Sequence, residues 1–466
     1  MRFRLFLALC LFLSLPALAA DDRWHVPIEV KKLDNGLTVV VSSDHSAPTI
    51  GISVVYKVGM RLEPKGRTGF AHLFEHLMFQ GTPKAGKGVF DKVTSGGGGW
   101  NNGSTRPDFT NYIESAPVSA LEPLLWLEAD RMRTLDFKPE TLKNQQDVVK
   151  EEIRSNVTNT PYAGFMWIDI AKLAFDKWEN SHDGYGSFDD LERANLDDVR
   201  AFHRDFYGPN NAVLAIAGDV TPERAFALAK KYFGAVKSRA VPPRTDFTEP
   251  LNDAPRRLLQ GDPLAQVPAL VAAWKMPDRA SPDHAPMVVL GELLTGGNAS
   301  LLYQGLVKGR ELALGMEGLY GLTGPFEYDG PTLFSVFAMF KPTSNADAVL
   351  AAIDEEIGKV AKNGPDTAAL QRVKTRMKAD WYNGLEGYVE RADMLARLQA
   401  LWGDAKVSEQ IPQWIEAVSA ADVQRVAARY LAPQRRSVIE RQPRPAAAPG
   451  SPPPAASAPA ASGAKP

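Results

Sequence analysis

The chain has 466 residues, 44% hydrophobic and 23% charged, with a formal net charge of −2. That composition allows a substantial core and roughly two to four domains, and it gives no electrostatic reason to expect nucleic acid or an anionic membrane as partner. A single cysteine excludes disulfides within the chain, and only seven histidines are present, so any close pair of them is informative.

In chain order, residues 1–20 have the make-up of a cleaved secretory signal. Arg2 and Arg4 are basic, Leu5 to Leu15 is apolar, and Ala17-Leu18-Ala19 is a small-residue cleavage site. The apolar run is too short for a permanent span, and no later run is long enough. The expectation is an exported, periplasmic protein with no stable membrane span, which loses its one cysteine, Cys10, on processing. Asp34-Asn35-Gly36 between two apolar runs predicts a hairpin, and Ala47 to Arg61 predicts a second strand. The Gly-rich Glu63 to Gly69 then leads into His72-Leu73-Phe74-Glu75-His76.

On a helix, positions i, i+3 and i+4 share one face, so His72, Glu75 and His76 point the same way. Two imidazoles one turn apart can take adjacent corners of a tetrahedral Zn²⁺ site, and Glu75 can reach a water on that metal as a base. This order is the inverted zincin signature. Two histidines falling at this spacing by accident is the bland alternative.

Gly96 to Gly99 suit a turn or a close backbone approach, and Thr105 to Glu114 reads as a strand. A phosphate-binding loop has little support there, because no Gly-Lys-Ser/Thr follows and no G-x-G-x-x-G opens a helix. Leu121 to Leu135 is an amphipathic helix, and a second starts at Pro139 and carries Glu151 and Glu152. Ala212 to Val220 is a strand, and Thr221 caps the helix after it. The Pro-rich stretch 241–258 reads as a linker. It separates a first domain, 21–240, from a second, 259–441, that repeats strand, helix, strands and long helices. His284 starts the helix corresponding to the His72 helix but has no Glu-His partner, and is read as a surface or capping residue. Residues 442–466 form a Pro/Ala-rich tail expected to be disordered. The fold class is two α/β halves in a duplicated, α+β arrangement.

The motif, followed by Met78-Phe79 and Gly81-Thr82, resembles the pitrilysin or insulinase family of zinc peptidases. Asn102-Gly103-Ser104-Thr105 with Thr110 and Tyr112 resembles that family's substrate-edge strand. Val148-Val149-Lys150-Glu151-Glu152 resembles the segment supplying its third zinc ligand, and Ala217-Gly218-Asp219-Val220 resembles its strand-helix signature. The resemblance implies two peptidase-like domains, each a mostly antiparallel sheet packed with helices, the second without catalytic residues. It implies one Zn²⁺ per chain on His72, His76 and Glu152, with Glu75 as the catalytic base. Glu151 lies about 100° round the helix from Glu152, so only one of the two can serve.

The same resemblance places an unfolded peptide substrate along Asn102 and Gly103, and puts Gln145 where many relatives carry a second glutamate, as a residue hydrogen-bonding a ligand histidine. Relatives grip substrate with an Arg and a Tyr from a later domain. The matching stretch here, Gly324 to Phe334, contains no arginine. The implied partner is therefore a similar subunit lacking the His-x-x-Glu-His motif, in a heterodimer, with a homodimer as the alternative. A non-catalytic scaffold subunit is the competing function.

Overall fold

The computed structural model describes residues 25–444. The signal read at 1–20 and the tail from 445 onward lie outside the described residues. The secondary structure forms two sheets, each covered by helices. In the first half, β1 (Glu29–Lys32), β2 (Thr38–Ser43), β3 (Thr49–Tyr56), β4 (Trp100–Thr105), β5 (Thr110–Pro117) and β6 (Ala212–Gly218) make a six-stranded sheet in the order β1-β2-β6-β3-β5-β4. In the second, β7 (Arg256–Asp262), β8 (Ala269–Lys275), β9 (Ala313–Leu319), β10 (Leu333–Phe340) and β11 (Ser437–Pro443) run in the order β7-β11-β8-β10-β9. Each sheet has one parallel pair, β2 with β6 and β7 with β11, and all other pairs are antiparallel. Removing β1 makes the two topologies superimpose strand for strand, so the duplication expected from the sequence is present. β4 and β9 are then equivalent edges.

The Asp34-Asn35-Gly36 turn joins β1 to β2, with Gly36 at φ 91, a left-handed conformation open to glycine. The stretch read as one strand from Thr105 to Glu114 is instead a hairpin. Arg106, Pro107 and Asp108 turn the chain, and Arg106 N–H donates to Phe109 O (2.8 Å). Proline has no amide to give to a ladder, so the strand breaks there. Strand β7 starts at Arg256, inside the stretch read as linker.

Central strands β3 and β6 are buried on both faces, and the two faces are covered by different parts of the chain. Ile52, Val54, Leu214 and Ile216 face the first half's own helices. Val40, Val55, Val213, Ala215 and Ala217 pack against Ala392, Leu395 and Ala396 of the helix Tyr388–Trp402, which belongs to the second half. Gly51 makes that crossing possible, because a Cβ there would come within 2.4 Å of the backbone of Tyr388 and Val389. Polar anchors fix the helix. Asp393 accepts from Ser53 Oγ (2.8 Å) and Asn111 Nδ2 (2.7 Å), and Arg391 pairs with Asp44 (3.1 Å). The exchange is reciprocal: Phe165, Ile170, Ala174 and Phe175 from the first half cover Ala269, Val271, Ala273 and Phe337 of the second sheet.

His284 is not at the surface. It is 2% exposed and its Nε2 bonds to the carbonyl of Pro325 (2.8 Å), while burial lowers its imidazole pKa to about 4. No helix among the described residues is long and apolar enough to cross a membrane.

Candidate metal centre

The motif lies on the helix Phe70–Leu77, whose Phe70, Ala71, Leu73, Phe74 and Leu77 are buried. Its free N-terminal amides are met by a buried carboxylate: Glu63 accepts from Gly69 N (2.9 Å) and Ala71 N (2.8 Å). A carboxylate there satisfies orphan donors and complements the helix dipole. His182 Nε2 lies 3.0 Å from Glu63 and fixes it from behind. Sequence reasoning missed this pair, because the contact spans 119 residues.

The third donor comes from the helix Pro139–Ile153. His72 Nε2 and His76 Nε2 lie 3.3 Å apart. Glu152 Oε1 is 3.6 Å from His72 Nε2, and its Oε2 is 3.2 Å from His76 Nε2. Among the described residues these three form the group whose ligand atoms all lie within 4.8 Å of one another. Glu151 points away: its side chain is 67% exposed against 30% for Glu152, and it pairs with Arg154 (3.0 Å). The helical offset that allowed only one of the two glutamates thus selects Glu152.

The donor set suits a borderline-soft divalent ion such as Zn²⁺. Burial lowers the His72 imidazole to about 4, against the opposing charge of Glu152, so His72 is neutral and offers a lone pair. Hydrogen bonding to His76 holds the Glu152 carboxyl below its usual range, so it is an anion. Three convergent donors, two imidazole nitrogens and one carboxylate, fit zinc.

Glu75 stands beside the group without joining it. Thr105 Oγ1 donates to its Oε2 (2.6 Å). Burial raises the Glu75 carboxyl above its ordinary value, with the Thr105 bond opposing. Gly103 explains how β4 comes so close, since a Cβ there would lie 3.2 Å from Glu75 Cγ and 3.1 Å from the Phe79 ring. Thr105 was visible in the sequence next to Gly103, and its alternation with Gly103 along the strand was the available signal.

Asn102 is exposed on β4, the outer edge of the sheet, and its Oδ1 accepts from Gly103 N (2.9 Å). That bond marks the Gly103 amide as directed away from β5. Gln145 is buried two turns before Glu152, but its amide nitrogen donates to Asn144 (2.8 Å) rather than to a ligand histidine. His72 Nδ1 is buried without a hydrogen-bond partner among the described residues, so the expected Gln145–histidine contact is not formed. Tyr185 instead sets the ring, edge-on at 5.1 Å.

His72, Glu75, Gly103, Thr105, Glu152 and Tyr185 line a cleft of about 670 Å³, counting its open mouth, into which the second half contributes Leu322. The loop Gly324 to Phe334 is tied to the β4–β5 turn: Asp108 accepts from Asp329 N (3.0 Å) and Gly330 N (3.2 Å), and pairs with Arg61 (2.9 Å). Tyr328 in that loop is buried, its hydroxyl donating to Pro277 O (3.2 Å).

Residues 38–166 match the family described as Insulinase (Peptidase family M16), and 193–377 match the Peptidase M16 inactive domain. Zinc protease PqqE of Helicobacter pylori is 30% identical over 368 residues, covering 78% of this chain and 81% of that one. The mitochondrial-processing peptidase subunit beta of Lentinula edodes is 22% identical over 414 residues, 86% of this chain and 87% of that one. Among solved structures, a protease from Helicobacter pylori superposes with a TM-score of 0.83 at 28% identity, over 90% of this chain and all of that one. Pitrilysin superposes with a TM-score of 0.74 at 17% identity, over 91% of this chain but 45% of its own, a likeness of fold. The chain belongs to the M16 peptidase family, the pitrilysin and insulinase peptidases. It is related to bacterial zinc proteases and to the processing-peptidase beta subunits.

Proposed function

We propose that the chain is an exported, periplasmic zinc endopeptidase that cleaves unfolded peptides. The observation that carries the reading is the convergence of His72, His76 and Glu152 within 4.8 Å, with a separately held carboxylate, Glu75, beside them. Zinc bound by the three would supply Lewis-acid activation of water and carbonyl. Glu75, steadied by Thr105, takes a proton from water in the cleft and returns it to the leaving amine. Peptide adds to β4 as a further strand, because an edge offers backbone groups in a repeating register. Export rests on the composition of residues 1–20.

Asn102 contacts the peptide backbone near the scissile bond once its bond to Gly103 is exchanged for one to substrate. Asn102→Ala is expected to lower turnover several-fold while zinc content stays at the wild-type value; unchanged turnover would leave Asn102 a plain turn residue.

The same reading includes a second, similar subunit that lacks the motif. Two features support it: the Gly324 to Phe334 loop has no arginine, and this fold accounts for under half of the pitrilysin chain. The test is cleavage of an unstructured peptide by the purified, zinc-loaded chain. Weak cleavage that rises on adding such a partner supports a heterodimer. Strong, chelator-sensitive cleavage by the chain alone removes the need for one and favours a homodimer. No cleavage under either condition, with zinc bound, would favour the scaffold function.

A further inference from the structure

The turn that closes the β4–β5 hairpin puts a cation at the edge of the zinc cleft. Arg106 is the one lysine or arginine among the described residues lining that cleft. Its backbone is fixed on both sides. The amide donates to Phe109 O (2.8 Å), and the carbonyl accepts from Met60 N (3.1 Å). Pro107 follows and holds Arg106 extended. Gly59 lets the two turns meet, since a Cβ there would collide with the Arg106 carbonyl.

Hydrogen bonding along an antiparallel pair alternates from residue to residue. Arg106 donates to Phe109, so Ser104 opposite Asn111 is the next bonded pair, and Thr105 between them turns its carbonyl away from β5. Strand β4 is the sheet's outer edge, so that carbonyl lies on the free side, where the proposed peptide strand is added. The Arg106 guanidinium is there, its Nη1 donating to Thr105 O (3.2 Å). The Thr105 side chain holds Glu75 (2.6 Å), so the cation stands beside the residue that steadies the proposed base. Burial raises the pKa of both Glu75 and Tyr185, and the Arg106 charge opposes the rise at each. It is therefore within electrostatic range of both.

Arg106 is half-buried, and among the described residues no carboxylate lies within ion-pair distance of it. Its neighbour Arg61, by contrast, is paired with Asp108 (2.9 Å). A guanidinium carries several N–H donors in a planar fork, a match for a carboxylate in both charge and shape. In a peptide cut at an internal bond, a carboxylate close to the cut belongs to a side chain. We infer that Arg106 is a specificity-determining residue, its guanidinium binding an aspartate or glutamate side chain of the peptide within about two residues of the scissile bond. This inference rests on the peptidase reading and names its substrate class, unfolded peptides with an acidic residue beside the cut.

The test uses the full, zinc-loaded chain and unstructured peptides in which a single Gln is replaced by Glu at each position in turn. Mass spectrometry locates the cut, and kcat/KM is compared within each Glu–Gln pair. The wild-type chain is expected to prefer Glu about tenfold at a position beside the cut, the scale of one charge-assisted hydrogen bond. Arg106→Gln should collapse that ratio toward one, and Arg106→Glu should turn the preference to Lys at the same position. Added salt should shrink the wild-type ratio. Zinc content and thermal midpoint should match wild type in both variants, because the Arg106 side chain bonds only to its own neighbour's carbonyl. The readout is a ratio, so weak turnover by the chain alone suffices. Equal cleavage of every Glu–Gln pair by wild type, or a ratio that survives Arg106→Gln, would overturn the Arg106 assignment and leave the peptidase reading intact. No cleavage of any peptide, with zinc bound, would overturn both.

Discussion

Glu75→Gln is expected to reduce peptide cleavage by about 10²–10⁴-fold, the range removed with a positioned general base, while leaving the fold and the bound zinc in place. The asymmetry follows from position. Glu75 accepts from Thr105 at 2.6 Å and stays outside the cluster formed by His72, His76 and Glu152. Glutamine keeps the shape and can still accept from Thr105, so β4 stays seated, but the amide cannot take up a proton. The check is turnover of a quenched fluorescent peptide alongside zinc content of the same sample. Turnover within a few-fold of wild type would place the base elsewhere.

The second large effect concerns the chain as a folding unit. Residues 25–240 produced alone are expected to be insoluble or to lack cooperative unfolding, although they contain every proposed zinc ligand. Cutting there strips Tyr388–Trp402 from the first sheet and exposes Val40, Val55, Val213, Ala215 and Ala217 together. Contiguous apolar surface of that kind drives association. The point substitution Leu395→Asp in the full chain isolates the same contact. Leu395 is 1% exposed, and an unpaired buried charge there should cost about 4 kcal/mol or more. Circular dichroism on heating measures both. A soluble fragment that melts cooperatively near the full-length midpoint would show that the helix exchange is dispensable.

Much of the metal centre was legible because it is local. Three and four residues separate the motif's members, and helical geometry alone puts them on one face. Glu152 was legible only through the family resemblance, and helix phase then separated it from Glu151. The two strand-helix halves were legible from alternating patterns and from the Pro-rich stretch between them.

What escaped was long-range or edge-like. The β4–β5 hairpin was hidden by β-forming residues on both sides of the turn, although Pro107 and Asp108 carried the turn signal. Strand β7 has an exposed, alternating pattern with arginines, the composition of an edge strand, and so resembled linker. The burial of His284 depends on a carbonyl 41 residues away. Which sheet Tyr388–Trp402 covers is likewise a property of topology: its apolar positions say that it is buried, not against what. Gln145 was placed by analogy, and its side chain bonds to its own neighbour instead.

The most direct test is metal analysis of the gently purified chain by atomic emission, with Glu152→Ala and Glu151→Ala in parallel. One zinc per chain is predicted for the wild type and for Glu151→Ala, with loss of most of it in Glu152→Ala. A wild-type chain that takes up no zinc, or a Glu152→Ala chain that holds it as tightly as wild type, would contradict the proposed centre.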